Sequence, residues 1–310
     1  LDAIYYLSFT KSYFNPIAVQ NIQHTKNFFM VEGEYTINDR RETIICSLKK
    51  GQKKLLKRNG KAYDKFSEHV GQIPLVIISP YDRDLVTDGS DARRKFIDGV
   101  ISQYNQNYLD DLLKYNRALL QRNNLLKQFS LERYFDVELL AIWDNQLIEH
   151  GNRIHKFREE FVKKLIPKFQ HYYSFISQVN EMVGLIHQSD LYKNNFDELL
   201  KNSIAKDRAV QHTTVGIHKD DLVLNIGDYP IKKLGSQGQK KTFLAALKLA
   251  QFDFIKEISG LKPVLLLDDI FDKLDHHRVE QIIKIVSDQQ FGQIFITDTN
   301  RQHLNTIIEN

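Results

Sequence analysis

The strongest constraint on the fold is a series of four segments between residues 235 and 275. A loop of small residues (235–239) leads into an amphipathic stretch (239–258) that predicts a helix. A continuous apolar run (263–267) follows, which predicts a buried strand, and this strand ends in two carboxylates. The fourth segment is the pair Leu274-Asp275, which precedes another predicted helix. Strands that alternate with helices in this way predict a parallel sheet covered on both faces.

The two carboxylates at the end of the strand are Asp268 and Asp269. Ligands of parallel sheets bind at the carboxyl ends of the strands. Because Mg²⁺ prefers one or two carboxylates together with phosphate oxygens and water, Asp268 is a candidate metal ligand. Asp269 is a candidate catalytic residue that orients or deprotonates an attacking water. A strand that simply leads into an acidic turn would show the same pair, so the pair alone does not establish ATP chemistry.

The loop at residues 235–239 has the composition of a phosphate-binding turn. Small residues let backbone N–H groups and the N-terminus of a helix approach an anion closely. A polar loop in which Ser236 only caps the helix is the alternative. The order of the four segments, which ends at Leu274 and Asp275 before another predicted helix, favours the first interpretation.

Near the N-terminus the pattern predicts a small antiparallel meander. Residues 27–37 and 42–48 alternate between apolar and polar side chains, as half-buried strands do. Residues 51–52 and 59–60 supply hairpin turns. The apolar run 73–78 predicts a further, buried strand.

The middle of the chain is predicted to be helical. Apolar residues recur three or four apart from residue 91 to about 128 and again from about 137 to 187. Gly151 and Pro167 predict a kink or break in the second stretch. Two long amphipathic helices in succession predict an antiparallel arm, and helix packing explains its many aromatic residues better than a cofactor pocket does.

The predicted fold class is therefore α/β, with a mixed sheet flanked by helices, a small antiparallel meander and an inserted antiparallel helical arm. We expect residues 1–90 and 204–310 to form one nucleotide-binding lobe. Residues 91–203 are expected to form the arm.

A basic cluster covers residues 49–61, a segment that contains no acidic residue. Its members are Lys49, Lys50, Lys53, Lys54, Lys57, Arg58 and Lys61. Two interpretations remain open at this point. The cluster forms either the solvated face of a hairpin or a surface that follows nucleic-acid phosphates.

Composition excludes several classes of protein. No apolar run approaches the roughly 20 residues that span a bilayer, so no membrane association is expected. Cys46 is the only cysteine, which excludes an internal disulfide and thiolate metal clusters and fits a reducing cytoplasm. The net charge of +4 is compatible with nucleic acid as a partner without requiring it.

The C-terminal third resembles ABC-type ATPases. Residues 236–239 resemble the signature motif, Asp268 and Asp269 the Walker B motif with its catalytic carboxylate, and Leu274-Asp275 the D-loop. The whole chain is similar to one family of this type, the RecF family of bacterial recombination and repair ATPases. The stretches that carry this resemblance are residues 1–7, 79–80, 88–98, 216–222 and 265–275.

The resemblance implies an ATP-dependent homodimer that binds DNA at single-strand/double-strand junctions of gaps. RecR and RecO would be its partners in loading RecA, and its compartment would be the cytoplasm. ATP would be held by the P-loop of one copy and by residues of the other, with Mg²⁺ at Asp268 and catalysis at Asp269. The implied nucleotide-binding residues are Ser236, Gln237, Gly238, Gln239 and Asp275. The basic cluster and Arg93 are the candidates for DNA contact.

One departure from the family pattern bears on activity. No G-x-x-x-x-G-K-[ST] motif occurs in the sequence, and residues 1–7 resemble the helix that follows the family's P-loop. We therefore expect the sequence to begin within a longer protein. We also expect this chain neither to bind nor to hydrolyse ATP usefully, whereas a version with a P-loop should be a slow ATPase. A Q-loop glutamine is not assigned.

Two functions from other classes remain as alternatives. A non-enzymatic interaction module would use the helical arm to bind a protein partner. A DNA-bridging ABC protein of the Rad50 or structural-maintenance type would need an arm several times longer, with sustained heptads.

Overall fold

The computed structural model describes residues 1–179, 181–270 and 274–298. The helices are α1 (Asp2–Phe9), α2 (Asp84–Thr87), α3 (Ser90–Ile101), α4 (Gln106–Glu132), α5 (Val137–Ser177), α6 (Phe196–Val210), α7 (Ile231–Leu234), α8 (Gln237–Ser259) and α9 (His276–Val286). The strands are β1 (Phe28–Ile37), β2 (Arg40–Lys49), β3 (Leu55–Arg58), β4 (Lys61–Ala62), β5 (Leu75–Ile78), β6 (Val183–Gln188), β7 (Asp221–Ile226), β8 (Tyr229–Pro230), β9 (Val264–Asp268) and β10 (Ile294–Thr297). These elements form two compact units.

Unit 1 consists of the described residues of 1–80, 255–272 and 283–310. Strands β1 to β4 form an antiparallel sheet in sequence order, which confirms the predicted meander. A parallel sheet has the order β10-β9-β5, so β9 is its middle strand. One face of α1 packs Tyr6 and Leu7 against the meander, and another packs Ile4 and Phe9 against the parallel sheet.

Unit 2 consists of the described residues of 81–254 and 273–282. Helices α4 and α5 pack against each other, and α6 packs on both. Arg122, which is fully buried, donates to Asp144 of α5 at 2.5 Å and to Asp207 of α6 at 2.6 Å. An antiparallel sheet of order β6-β7-β8 completes the unit.

The prediction of a helix as far as residue 187 is wrong in its last part. Helix α5 ends at Ser177, and residue Gln178 adopts a left-handed conformation with φ of 53°. Residues 183–188 form β6, in which Val183, Leu185 and His187 are buried by pairing with β7. The apolar residues of this segment fit both periods, and only the pairing with a strand far along the chain decides between them.

The sequence predicts a kink or a break at Gly151 or Pro167. A break is wrong, because α5 is a continuous helix of 41 residues, whereas a kink stays a prediction. A Cβ atom on Gly151 would overlap the ring of Phe196, so this glycine lets α6 approach α5 closely. Pro167 removes one backbone hydrogen bond, and the long packed face of α5 offsets that loss.

The helices of residues 91–203 belong to the same compact unit as residues 204–254. The division into a lobe and a separate arm therefore stays a prediction. Across the described ranges, no helix has both the length and the hydropathy that a membrane span requires.

Candidate functional site

The predicted metal ligand Asp268 and the predicted catalytic residue Asp269 lie at the carboxyl end of β9, in unit 1. Leu265, Leu266 and Leu267 are fully buried, so the apolar part of this strand is fixed by its neighbours. Thr297 at the end of β10 donates its hydroxyl to Asp268 Oδ1 at 2.6 Å, which orients that carboxylate. Asp268 and Asp269 therefore lie at the end of the middle strand of the parallel sheet.

Asp269 is the first residue after β9. Its backbone is left-handed with φ of 48°, and its N–H donates to the carbonyl of Thr297 at 2.9 Å. A non-glycine residue in this region is uncommon, and aspartate and asparagine tolerate it best. The chain therefore turns directly after Asp268, and the end of β10 fixes this turn.

The signature-like loop lies at the start of α8, in unit 2. Ser236 Oγ accepts from the Gln239 N–H at 3.1 Å, and Gln239 Oε1 accepts from the Ser236 N–H at 2.8 Å. This reciprocal pair is a capping box, which satisfies backbone donors at the N-terminus of a helix. Ser236 and Gln237 are exposed, whereas Gly238 and Gln239 are half-buried.

Asp275 caps the N-terminus of α9 and also belongs to unit 2. It accepts from the backbone N–H of Arg278 at 3.0 Å and from Arg278 Nη1 at 2.8 Å. The hydrogen bond from the Arg278 backbone is the main cause that lowers the pKa of Asp275. A Cβ atom on Gly238 would overlap this same guanidinium, so the signature-like loop and the acidic turn are neighbours. Residues 271–273, which complete the predicted Walker B and D-loop stretch, lie outside the described residues.

The candidate DNA-binding residues fall into two groups. Arg58 donates to both carboxylate oxygens of Glu42 at 2.9 Å, and Arg93 makes a similar bidentate pair with Asp221 at 2.7 and 3.0 Å. Lys54 bonds to the carbonyl of Thr10. Lys57 is half-buried, and the remaining members are exposed: Lys49, Lys50, Lys53 and Lys61. The exposed lysines are therefore the stronger candidates for phosphate contact.

An internal ion network, which the sequence patterns did not suggest, joins two of the family-like stretches. Arg158 of α5 is 2% exposed at its side chain, and it donates to Asp98, Asp220 and the carbonyl of Ile217 at 2.9, 2.9 and 2.8 Å. A charged residue within the apolar stripe that includes Ile154 was the available sequence signal. These residues hold α5 to the segments around them and do not form a catalytic site.

A cluster of two histidines and an aspartate accompanies this network. One potential ligand atom from each of His155, His187 and Asp220 lies within 4.8 Å of the others. Asp220 already accepts from Arg158, and His187 Nδ1 lies 2.9 Å from the hydroxyl of Tyr192. These contacts are typical of a buried polar network.

Burial lowers the pKa of three histidines, so the free energy of unfolding should depend on pH. The pKa of His218 falls to about 4, and those of His69 and His155 fall in the same direction. Unfolded histidines titrate near 6.5, so the unfolded state binds more protons than the folded state below that pH. The stabilisation is fully present above about pH 6.5 and is lost as the pH falls towards 4.

We expect the free energy of unfolding in urea to decrease between pH 7.5 and pH 5. The replacement His218→Gln should make this decrease smaller, because His218 Nδ1 lies 2.8 Å from the Tyr115 hydroxyl and is neutral when folded. A free energy of unfolding that stays constant over this range would contradict the assignment.

Comparison with known proteins places the chain. No family model matches it. The DNA replication and repair protein RecF of Flavobacterium johnsoniae is 54% identical over 309 residues, which cover 100% of this chain and 86% of that protein. RecF of Phocaeicola vulgatus is 52% identical over 311 residues, which cover 100% of this chain and 83% of that protein.

Solved structures agree with this similarity. A structure of the recombination mediator protein RecF with ATP, in the RecFOR pathway, matches with a TM-score of 0.88 and 31% identity, over 97% of this chain and 82% of that one. An Smc head bound to a domain of ScpA matches with a TM-score of 0.53 and 11% identity, which supports the fold alone. On these grounds, the chain belongs to the RecF family of DNA replication and repair proteins and has the ABC-type ATPase fold predicted from its motifs.

Proposed function

We propose that this chain forms the signature-bearing and Walker B-bearing part of an ATP-dependent DNA-binding head, in which ATP lies between two copies. The observation that carries the proposal is the pair of carboxylates at the end of the middle strand, Asp268 oriented by Thr297 and Asp269 in a left-handed backbone conformation. A solved relative that contains ATP supports it.

The donor set at this strand end fits the implied metal. A carboxylate at the end of a parallel strand, together with phosphate oxygens and water, is the coordination that Mg²⁺ prefers. Asp268 would hold the ion, and Asp269 would orient the hydrolytic water and accept its proton. The ion itself supplies positive charge against the phosphates.

The second copy would contribute the signature-like loop. Ser236 and Gln237 are exposed at the N-terminus of α8, where backbone N–H groups and the helix dipole favour an anion. Asp275 fixes the start of α9 beside this loop. The P-loop of the facing copy completes the site, so the reaction requires a version of the chain that carries one.

The finer function follows the family. We assign DNA with single-strand/double-strand junctions as the ligand, RecR, RecO and RecA as the partners, and the cytoplasm as the compartment. The solved relatives are recombination mediator proteins of the RecFOR pathway, which supports this assignment. The exposed lysines of the basic cluster supply the charge that a phosphate backbone requires.

The DNA-binding part is tested in a version of the chain that carries a P-loop, with ATP present, by charge reversal of Lys49, Lys50 and Lys53, all to glutamate. Loss of two to three phosphate contacts should weaken binding to a fluorescent gapped duplex at least about tenfold and should reduce the slope of log K against log salt by about 2 to 3. The control reverses three exposed lysines of α4 and α5, Lys114, Lys127 and Lys163, with the same change in net charge. Equal losses in both triple variants would show that the cluster is not the contact surface.

A further inference from the structure

The side chain of Gln239 is fully engaged by groups of its own chain. Its Oε1 accepts from the Ser236 N–H at 2.8 Å, and its Nε2 donates to Glu181 Oε1 at 2.8 Å. Since an ionised carboxylate only accepts hydrogen bonds, Glu181 fixes which end of the amide faces it. Gln239 is thereby held in the one orientation that also closes the capping box with Ser236.

Glu181 is itself held by the end of the longest helix. Tyr173, in the last turns of α5 and 1% exposed, donates its hydroxyl to Glu181 Oε2 at 2.5 Å. Burial is the main cause that raises the pKa of Tyr173, and the bond to Glu181 raises it further. Gln170, one turn earlier, donates to the carbonyl of Val183 at 2.9 Å, which ties the following segment to the same helix. A direct series of side chains therefore connects α5 to the signature-like loop.

We propose that Gln239 is a positioning residue and does not bind the nucleotide. Its hydrogen bond to Glu181 holds it in this role. The pair holds the capping box in place, so that the exposed groups of the loop, the Ser236 hydroxyl and the N–H groups at the start of α8, face the phosphates. The effect of Gln239 on ATP binding rests on the proposed function. Its role in holding the loop rests only on the geometry of the loop. It revises the expectation that Gln239 binds the nucleotide.

The chain offers a reciprocal exchange that separates the two roles. Glutamate is favourable at the third position of a capping box, so Gln239→Glu keeps the bond to Ser236 and changes only what faces Glu181. Two carboxylates then oppose each other. Adding Glu181→Gln restores a donor opposite an acceptor, because the new amide at position 181 donates to the new carboxylate at position 239 and accepts from Tyr173. Glu181→Gln alone should be nearly neutral, since an amide oxygen still accepts from Gln239.

Amide hydrogen exchange in this chain, without nucleotide, tests the structural part. We expect exchange at residues 236–240 to become at least about tenfold faster in Gln239→Glu, as for the loss of one charge-assisted bond, and to recover in the double variant. Circular dichroism before and after confirms that each variant is folded. Unchanged exchange in Gln239→Glu would overturn the proposal, whatever the chain does with ATP.

The functional part is tested in a version of the chain preceded by the P-loop segment of a RecF relative, here called the P-loop fusion. ATP-dependent dimerisation should weaken about tenfold in Gln239→Glu and return to within about threefold in the double variant, a difference that sedimentation resolves. If Gln239 contacted ATP, a glutamate at position 239 would repel the phosphates and weaken dimerisation with either residue at position 181. Dimerisation that does not recover in the double variant would therefore overturn the inference. An unmutated P-loop fusion that ignores ATP would refute the proposed function instead, and the exchange measurement would still decide the inference.

Discussion

Replacing Asp269 with asparagine should reduce ATP hydrolysis by the P-loop fusion at least about 100-fold, the lower range for loss of a general base. Asparagine has nearly the same shape and tolerates the left-handed φ of 48° at this position. Its N–H can still donate to the carbonyl of Thr297. The turn after β9 should therefore keep its geometry, while the group that accepts the proton of the attacking water is lost.

Steady-state phosphate release measures this effect. The matched control is Asp64→Asn, the same chemical change at an exposed position of unit 1. ATP-dependent dimerisation should survive in Asp269→Asn, because binding and hydrolysis use different groups. A rate above about one tenth of the original would show that Asp269 is not the catalytic residue.

Replacing Arg158 with alanine should lower the free energy of unfolding by about 3 to 5 kcal/mol, the usual cost of leaving a buried charge without its partner. The side chains of Arg158 and Asp220 are each 2% exposed, and Asp98 and the carbonyl of Ile217 share the same guanidinium. Alanine would leave the buried carboxylate of Asp220, the buried carbonyl of Ile217 and the partly buried carboxylate of Asp98 without this donor.

Urea unfolding followed by helical circular dichroism measures the change. Lys201→Ala is the control, because Lys201 pairs with Asp197 on the surface of the same unit with 74% of its side chain exposed. Exposed pairs contribute at most about 1 kcal/mol. A loss below about 1.5 kcal/mol in Arg158→Ala would mean that the network does not hold α5 to β7 and α3.

The elements that the sequence predicted well are those that a single period determines. The alternation in β1 has the period of a strand, and the continuous apolar run before Asp268 is too short for a helix. The end of α5 could not be placed in this way, because Val183 and Ile186 continue the helical spacing while Val183 and Leu185 fit a strand. The partner that resolves it, β7, lies about 40 residues further on.

Other features depended on contacts that no local pattern contains. Gly151 is typical of a helix break, and only the ring of Phe196 from α6 shows that it serves close packing. Glu181 has no distinguishing neighbours in sequence, and its role follows from its bond to Gln239, far along the chain. Arg58 belongs to a basic segment that contains no acidic residue, although its charge is paired with Glu42 across the meander.

The motif residues of the candidate site could be proposed from the sequence because this kind of site requires its motifs in a fixed order along the chain. A strand must end where the carboxylates are needed, and a helix must begin where the small residues are. Which groups touch the ligand could not be read from that order. The capping box shows this, since the same Ser236 and Gln239 satisfy the backbone of α8 as well as forming the motif.

The decisive measurement for the proposed function is sedimentation of this chain and of the P-loop fusion, each with and without ATP and Mg²⁺. We predict that ATP converts the P-loop fusion from monomer to dimer and leaves this chain, which lacks the G-x-x-x-x-G-K-[ST] motif, unchanged. A P-loop fusion that stays monomeric with saturating ATP would contradict the proposed function, and so would ATP-driven dimerisation of the chain without a P-loop.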